Sequence, residues 1–273
     1  HFFVVIFVKR EYTKEKEKSA KRRESVMRTF GLIGFPLEHS FSPAYFQQKF
    51  TAEKIVDAEY RSFPLERITD FPRLILSQNN WAGFNVTIPF KTAILPYLDE
   101  LDESAAEIGA ANVIKIVRNT QGIRLIGYNS DAMGFERSLK EFLPQLPKRA
   151  LILGTGGAAK AVKFVLDKNN VKAQFVSRKH QDELLNYNDL SKDIINSNPL
   201  IINATPVGMY PQINEAPDIP YEYLTTRNAL FDLVYNPKKT LFLQKGETKD
   251  AKICNGLPML HYQAEASWQI WTS

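Results

Sequence analysis

Residues 151–160 run Leu-Ile-Leu-Gly-Thr-Gly-Gly-Ala-Ala-Lys, and Gly154, Gly156 and Ala159 fall on a G-x-G-x-x-A spacing. The chemistry that this spacing serves is anion binding. A first glycine allows a tight turn, a second lets backbone approach a pyrophosphate, and a third small residue lets helix and strand pack closely. The pyrophosphate would rest on the helix N-terminus, where unpaired N–H groups and the helix dipole favour negative charge. A dinucleotide bound there meets the chain again at its ribose, and an NAD-specific turn supplies an Asp or Glu about 20 residues on. Here that place reads Ser177-Arg-Lys-His180, with no acid before Asp182. Arg178 and Lys179 suit a 2′-phosphate, so the sequence favours NADP over NAD.

The elements needed to position these residues are legible. Residues 150–153 form a short apolar run, 158–166 carry apolar side chains at helical spacing, and 173–176 read as a second strand, together a β-α-β unit. Residues 200–206 predict a buried strand entering a polar turn, and 229–236 another that ends in a tyrosine, Tyr235, facing a cleft.

Towards the N-terminus a strand at 30–36 leads into Ser40-Phe-Ser-Pro43. Ser42-Pro43 predicts an N-cap followed by proline at the first helical position. Ser40 points the same way if the segment is extended, giving two hydroxyls beside a helix N-terminus, an arrangement suited to a carboxylate. A strand over 58–63 and a helix over 65–76, with a break at Phe71-Pro72, come next. Residues 81–91, Trp-Ala-Gly-Phe-Asn-Val-Thr-Ile-Pro-Phe-Lys, predict a strand with polar groups at its C-terminal end, where open α/β sheets bind ligands. A helix over 101–108, a hairpin of 111–117 with 123–127 and a long helix opening at Asp131 follow. Taken alone, Lys91 is a surface lysine and Asp131 is that helix's N-cap. A final helix over 259–271 carries Gln263, with Trp268 and Trp271 as packing residues.

Composition narrows the class. The 273 residues are 44% hydrophobic and 24% charged, with a mean hydropathy of −0.28, ordinary for a globular protein and enough for two domains. The net charge of +5 belongs to residues 1–26, which hold eight Lys or Arg against four Glu and leave +1 for the rest. A nucleic-acid partner loses its support. The one cysteine, Cys254, allows no internal disulfide, reads as a small core residue and fits a reducing, cytoplasmic compartment. One Cys and four scattered His make no metal cluster, and no apolar run approaches the roughly 20 residues that span a bilayer. Residues 1–26, apolar first and charged afterwards, make a poor secretory signal and are expected to be a non-native or disordered extension ahead of a native start at Met27.

Taken in order, the fragments resemble one family. Ser40-Phe-Ser42, Asn85-Val-Thr-Ile-Pro-Phe-Lys91, Gly109-Ala-Ala-Asn112, Gly127-Tyr-Asn-Ser-Asp131, the Gly154 turn, Asn203-Ala-Thr-Pro-Val-Gly-Met209 and Asn255-Gly-Leu-Pro-Met-Leu260 with Gln263 are similar to shikimate dehydrogenases, from about Arg28 to the C-terminus. The resemblance implies an α/β fold in two domains with a cleft between them. One is a mainly parallel substrate domain, residues 27–130 completed by the helix at 259–273; the other is a Rossmann-like NADP-binding domain, residues 131–258. It implies reversible NADPH-dependent reduction of 3-dehydroshikimate to shikimate by a monomer or homodimer, with a small-molecule substrate and neither nucleic acid nor membrane as partner.

The same resemblance assigns residues. Ser40 and Ser42, with Tyr235 close by, are implied to take the substrate carboxylate; Thr87, Lys91, Asn112, Asp131 and Gln263 line the hydroxyl and ketone side. Gly154, Thr155, Gly156, Gly157, Ala158, Ser177, Arg178, Lys179, Thr205, Leu233 and Gly256 are implied on the cofactor side, and no metal. Lys91 and Asp131 are the implied catalytic pair. Lys91 gives the proton and Asp131 fixes its position, or the roles are reversed, since coupled groups titrate as a pair.

Departures from the family pattern are Ser177-Arg-Lys179 where Asn-Arg-Thr is common, Val113 where a threonine is usual, and Ser130 in place of a threonine. Two rivals differ in kind. A quinate/shikimate enzyme that also uses NAD often shows Thr where Ser42 stands. A non-catalytic NADPH-binding regulator could dispense with Lys91 and Asp131, yet both are present.

Overall fold

Two six-stranded sheets organise the chain, and in each the central strands are near-continuous apolar runs because both faces are covered. The computed structural model describes residues 27–38, 40–120, 122–179 and 184–273; the expectation for residues 1–26 falls outside them.

The first sheet is built from β1 (Arg28–Gly34), β2 (Ala58–Pro64), β3 (Trp81–Val86), β4 (Glu100–Leu101), β5 (Val113–Asn119) and β6 (Gly122–Tyr128), in the order β2-β1-β3-β5-β6-β4. Strands β2, β1 and β3 are parallel, β4 is parallel to β6, and the β5–β6 hairpin runs against β3. The sheet is mainly parallel, as expected, with the hairpin as its antiparallel part. Helices α1 (Phe41–Ala52), α2 (Phe71–Leu76) and α3 (Glu103–Ile108) connect these strands.

After α4 (Ser130–Phe142) come β7 (Arg149–Leu153), α5 (Gly157–Lys168), β8 (Lys172–Ser177), β9 (Leu185–Asn186), α6 (Lys192–Ser197), β10 (Leu200–Asn203), β11 (Ala229–Asp232), α7 (Leu241–Glu247), β12 (Lys252–Cys254) and α8 (Leu257–Thr272). This second sheet is parallel throughout, ordered β12-β11-β10-β7-β8-β9. Strand order reverses between β7 and β10, the switch point at which doubly wound sheets bind ligands, and the glycine turn leaves β7 there.

Several local expectations are corrected. The helix expected over 65–76 is a 3-10 turn at Ile68–Asp70 followed directly by α2, with the change at Phe71-Pro72, where Pro72 sits in the first turn of α2. Strand β11 stops at Asp232, so Tyr235 stands in the turn beyond it. Leu101 belongs to β4, and Asp102 caps α3 by accepting from Ala105 N at 3.1 Å. Helix α1 starts two residues earlier than expected, with an extended Ser40 (φ −74°, ψ 135°) at its N-cap. Ser42 is thus inside the first turn, and the two serines do not meet by strand alternation. Asp131 is not the cap of α4 either: Asn129 Oδ1 accepts from Ala132 N at 3.1 Å, which leaves the Asp131 carboxylate free to face elsewhere.

Helix α8 joins the two cores. Met259, near its start, packs with Phe135, Ile152 and Phe231 of the second sheet's layer. Trp271, near its end, lies against Phe30 and Phe46 of the first and donates from Nε1 to Ile114 O at 3.0 Å. Gly134 makes the α4–α8 crossing possible, since a Cβ there would fall 2.6 Å from Met259 O. Trp268 and Trp271 are packing residues, as their spacing predicts.

Candidate active site

Lys91 ends the turn that follows β3. Phe90 is buried in the core of the first sheet, and Ala111 N donates to Lys91 O at 2.8 Å, so the backbone on both sides of the lysine is fixed. Its Nζ donates to Asp131 Oδ2 at 2.5 Å, with the lysine side chain 15% exposed and the aspartate 1%. The second carboxylate oxygen accepts from Asn112 Nδ2 at 2.8 Å. Asn112 is itself held, because its Oδ1 accepts from Ser130 N at 2.7 Å. A buried ion pair is tolerable when its remaining lone pairs are satisfied in this way. The arrangement presents one ammonium, oriented by a carboxylate with no freedom of its own, which is what a positioned proton donor requires.

Around this pair the structure gathers residues that the sequence placed far apart. Gln263 lies on α8 against Gly134, one turn along α4 from Asp131. Thr87 follows β3 and packs its methyl over Gly34, where a Cβ would be 2.3 Å away. Tyr235 comes from the second sheet's side, sets its ring edge-on to Phe41 at 6.1 Å and hydrogen-bonds the Phe41 backbone, between Ser40 and Ser42. Burial pushes its phenol above the usual range. Hydroxyls from both halves therefore converge on the N-terminus of α1, where an anion is favoured.

The sequence reading missed the groups beneath. Ser42 hydrogen-bonds Tyr60, Tyr60 OH donates to Asn85 Oδ1 at 2.7 Å, and Asn85 Nδ2 donates to Ser267 Oγ at 2.9 Å. Ser267 Oγ also lies 3.2 Å from Ser130 Oγ, which in turn accepts from Asn112 Nδ2 at 3.1 Å. One buried polar line thus joins the serine end of the site to Asp131. Its only signal in the sequence was an asparagine inside the apolar strand 81–86.

On the other side, the glycine turn fits a dinucleotide phosphate. Gly154 has φ +101°, a conformation that side chains resist, and Thr205 closes on it from β10. Gly156 is the N-cap of the 12-residue helix α5, offers no side chain to its first N–H groups, and has open space where a Cβ would point. Thr155 and Gly156 are exposed and Gly157 and Ala158 half-buried. Gly157 faces the lysine, with a built Cβ 3.1 Å from Lys91 Cβ, so the glycine turn and the lysine of the ion pair are direct neighbours. Gly256 packs on Leu233, whose carbonyl oxygen would be 2.1 Å from a Cβ there. Ser177, Arg178 and Lys179 stand at the end of β8 next to β7, the two basic side chains exposed.

A further group escaped the sequence. Asp232 is fully buried at the end of β11 and accepts from Asn203 Nδ2 at 2.9 Å, from Val234 N at 3.0 Å and from Thr240 Oγ1 at 2.5 Å. Asn203 Oδ1 accepts from Thr205 Oγ1 at 2.6 Å, so this carboxylate anchors the wall over Gly154. Burial raises its pKa from 3.8 to about 6. Among the described residues no group of three or more His, Cys, Asp or Glu could hold a metal, and no helix is long and apolar enough to cross a membrane.

Comparison with known proteins gives this geometry relatives. The profile of a family described as the shikimate dehydrogenase substrate binding domain matches residues 32–114. An NADP(+) shikimate dehydrogenase of Desulforamulus reducens is 35% identical over 269 residues, covering 89% of each chain. One from Methanococcus maripaludis is 39% identical over 260 residues, covering 89% of this chain and 90% of its own. The crystal structure of shikimate 5-dehydrogenase from Thermus thermophilus, in complex with NADP(H) and shikimate, superposes with a TM-score of 0.77 at 32% identity, over 90% of this chain and 94% of that one.

Proposed function

Because the chain belongs to the shikimate dehydrogenase family, we infer that it catalyses the reversible, NADPH-dependent reduction of 3-dehydroshikimate to shikimate, a step of the shikimate pathway to chorismate and the aromatic amino acids. The observation that carries this reading is the Lys91–Asp131 pair standing against the glycine turn at Gly157. Bound NADPH supplies the hydride to the ketone carbon. Everything else falls to the chain's own residues.

Charge develops on the ketone oxygen as it is reduced, and Lys91 stabilises and protonates it. Asp131 holds the ammonium by one oxygen, and Asn112 fixes the carboxylate by the other. Ser40, Ser42 and Tyr235 take the substrate carboxylate at the N-terminus of α1. Thr87, Asn112 and Gln263 supply partners for the hydroxyls, which a deoxy analogue would leave unpaired. The N-terminus of α5 takes the pyrophosphate and Arg178 with Lys179 the 2′-phosphate. Residues 27–130 with 259–273 act as the substrate domain and 131–258 as the cofactor domain, in a cytoplasmic monomer or homodimer.

The test is absorbance at the nicotinamide band with shikimate and NADP, repeated with NAD and with quinate. Reduction of NADP by shikimate, faster than any other pairing, is the expected result. Preference for quinate with NAD would favour the rival dehydrogenase, and binding of NADP without turnover of either acid would favour the regulator.

A further inference from the structure

The residues that face a 2′-phosphate are exposed, long and flexible, so their usefulness depends on what fixes their backbone. Strands β8 and β9 are parallel neighbours, with Ser177 paired to Asn186. For the basic residues to be presented in one place, something must hold the Ser177–Lys179 backbone. A side chain does. Asn186 Nδ2 donates to Ser177 O at 3.2 Å and to Arg178 O at 3.3 Å, reaching under the two residues from the neighbouring strand. Lys179 N donates to Ser177 Oγ at 3.0 Å, which closes the same turn from within.

The amide is itself immobile. Asn186 is 7% exposed, its Oδ1 accepts from Asn188 N at 3.1 Å, and its backbone N donates to Asp189 Oδ2 at 2.7 Å. A buried side chain with both ends engaged makes a rigid support, and a support of this kind lowers the ordering cost of the groups it carries.

The geometry points to Asn186 as a positioning residue for cofactor choice: it holds the Ser177–Lys179 backbone so that Arg178 and Lys179 meet the 2′-phosphate of NADP. The inference rests on the reading of Arg178 and Lys179 given above. It predicts a specific pattern, because only a ligand that carries the 2′-phosphate uses what Asn186 holds; a loss of general folding or of adenine binding would weaken both cofactors alike.

The experiment compares the full-length protein with Asn186→Ala and Asn186→Ser, measuring calorimetric affinity for adenosine 2′,5′-bisphosphate and for AMP, and steady-state KM for NADP and NAD. Thermal unfolding establishes that each variant is folded, and the serine form keeps a short acceptor for Asn188 N if the alanine form does not fold. The expected result is an affinity for the bisphosphate lowered about tenfold, a matching rise in the KM for NADP, and AMP, NAD and kcat within about twofold. Equal weakening of both nucleotides, or no weakening of either, overturns the proposal. Arg178→Ala is measured in parallel to separate the two layers. If it leaves the preference for the 2′-phosphate intact, the reading of the basic pair is what has failed; if it abolishes that preference while both Asn186 variants retain it, the role of Asn186 has.

Discussion

Gly157 lies where its missing side chain would meet Lys91: a Cβ built on it would stand 3.1 Å from Lys91 Cβ and 3.7 Å from Ala110 Cβ. In the proposed mechanism this contact sets the phosphate-binding turn against the proton donor, so the position would be restricted by catalysis as well as by the turn. Gly157→Val should push the lysine from the turn and lower kcat/KM by about 10²-fold, the typical effect of an ångström of misplacement. Gly157→Ala should fall between, because only a few tenths of an ångström must be yielded. Steady-state kinetics on both, with unfolding temperatures to confirm intact folding, would check the gradation; a valine form with unchanged kcat/KM would refute it.

Removing the lysine should act on chemistry more than on binding. Lys91→Ala is expected to lower kcat by about 10² or more, since general acid catalysis typically contributes 10² to 10⁴. Asp131→Asn keeps the shape and the contact with Asn112 but loses the charge that orients the ammonium, so kcat should fall there too, with NADP affinity unchanged. Near-normal turnover in Lys91→Ala would remove the lysine from the mechanism.

How far the site was legible from sequence depends on the range of each interaction. The glycine turn was readable because its demands are local: a positive φ at Gly154, open space at Gly156 and a small residue at 159 follow from neighbours along the chain. Asp131 was harder. A carboxylate at a helix start reads locally as a cap, and only the structure shows Asn129 taking that role two residues before. Asn85 and Ser267 are 182 residues apart, so no spacing rule connects them. Sheet composition was legible in part, since the hairpin signal at 111–127 was read but its antiparallel insertion beside β3 depends on tertiary pairing.

The end of α8 should prove to be the clamp on the first sheet. Trp271 is buried between Phe30 and Phe46, donates to Ile114 O and packs where Gly83 leaves room. Trp271→Ala should destabilise the protein by about 3–5 kcal/mol, the usual range for a buried aromatic truncated to alanine. Trp271→Phe, which keeps most of the volume and leaves the Ile114 carbonyl without its donor, should lose about 1–3 kcal/mol. Denaturant melts of both would show whether packing or the hydrogen bond dominates.

Cys254 is half-buried, and burial pushes its thiol up to about 11. The thiolate is the reactive form, so alkylation by iodoacetamide near pH 8 should be slow in the folded protein. It should become fast on unfolding in denaturant. Equal rates in the two states, followed by mass spectrometry, would contradict the burial seen here.

Asp232 gives the fold a pH dependence whose sign is opposite to that of a salt-bridged carboxylate. Its folded pKa of about 6 exceeds the unfolded value of 3.8, so the native state holds the proton more tightly than the unfolded chain. The stabilisation from that proton is complete below the unfolded value and is lost as pH rises to about 6, above which the buried charge is a constant penalty. Asparagine cannot ionise and escapes the penalty, although it changes one hydrogen bond to Thr240. The stability of Asp232→Asn relative to the parent should therefore improve between about pH 4 and about pH 7, by at most about 3 kcal/mol for a shift of this size. Because the altered hydrogen bond contributes at every pH, the change in the difference, not its absolute value, reports the titration. Urea melts at intervals across that window would measure it, and a difference that is flat, or that moves against the variant as pH rises, would show that the Asp232 carboxyl does not titrate upward in the fold.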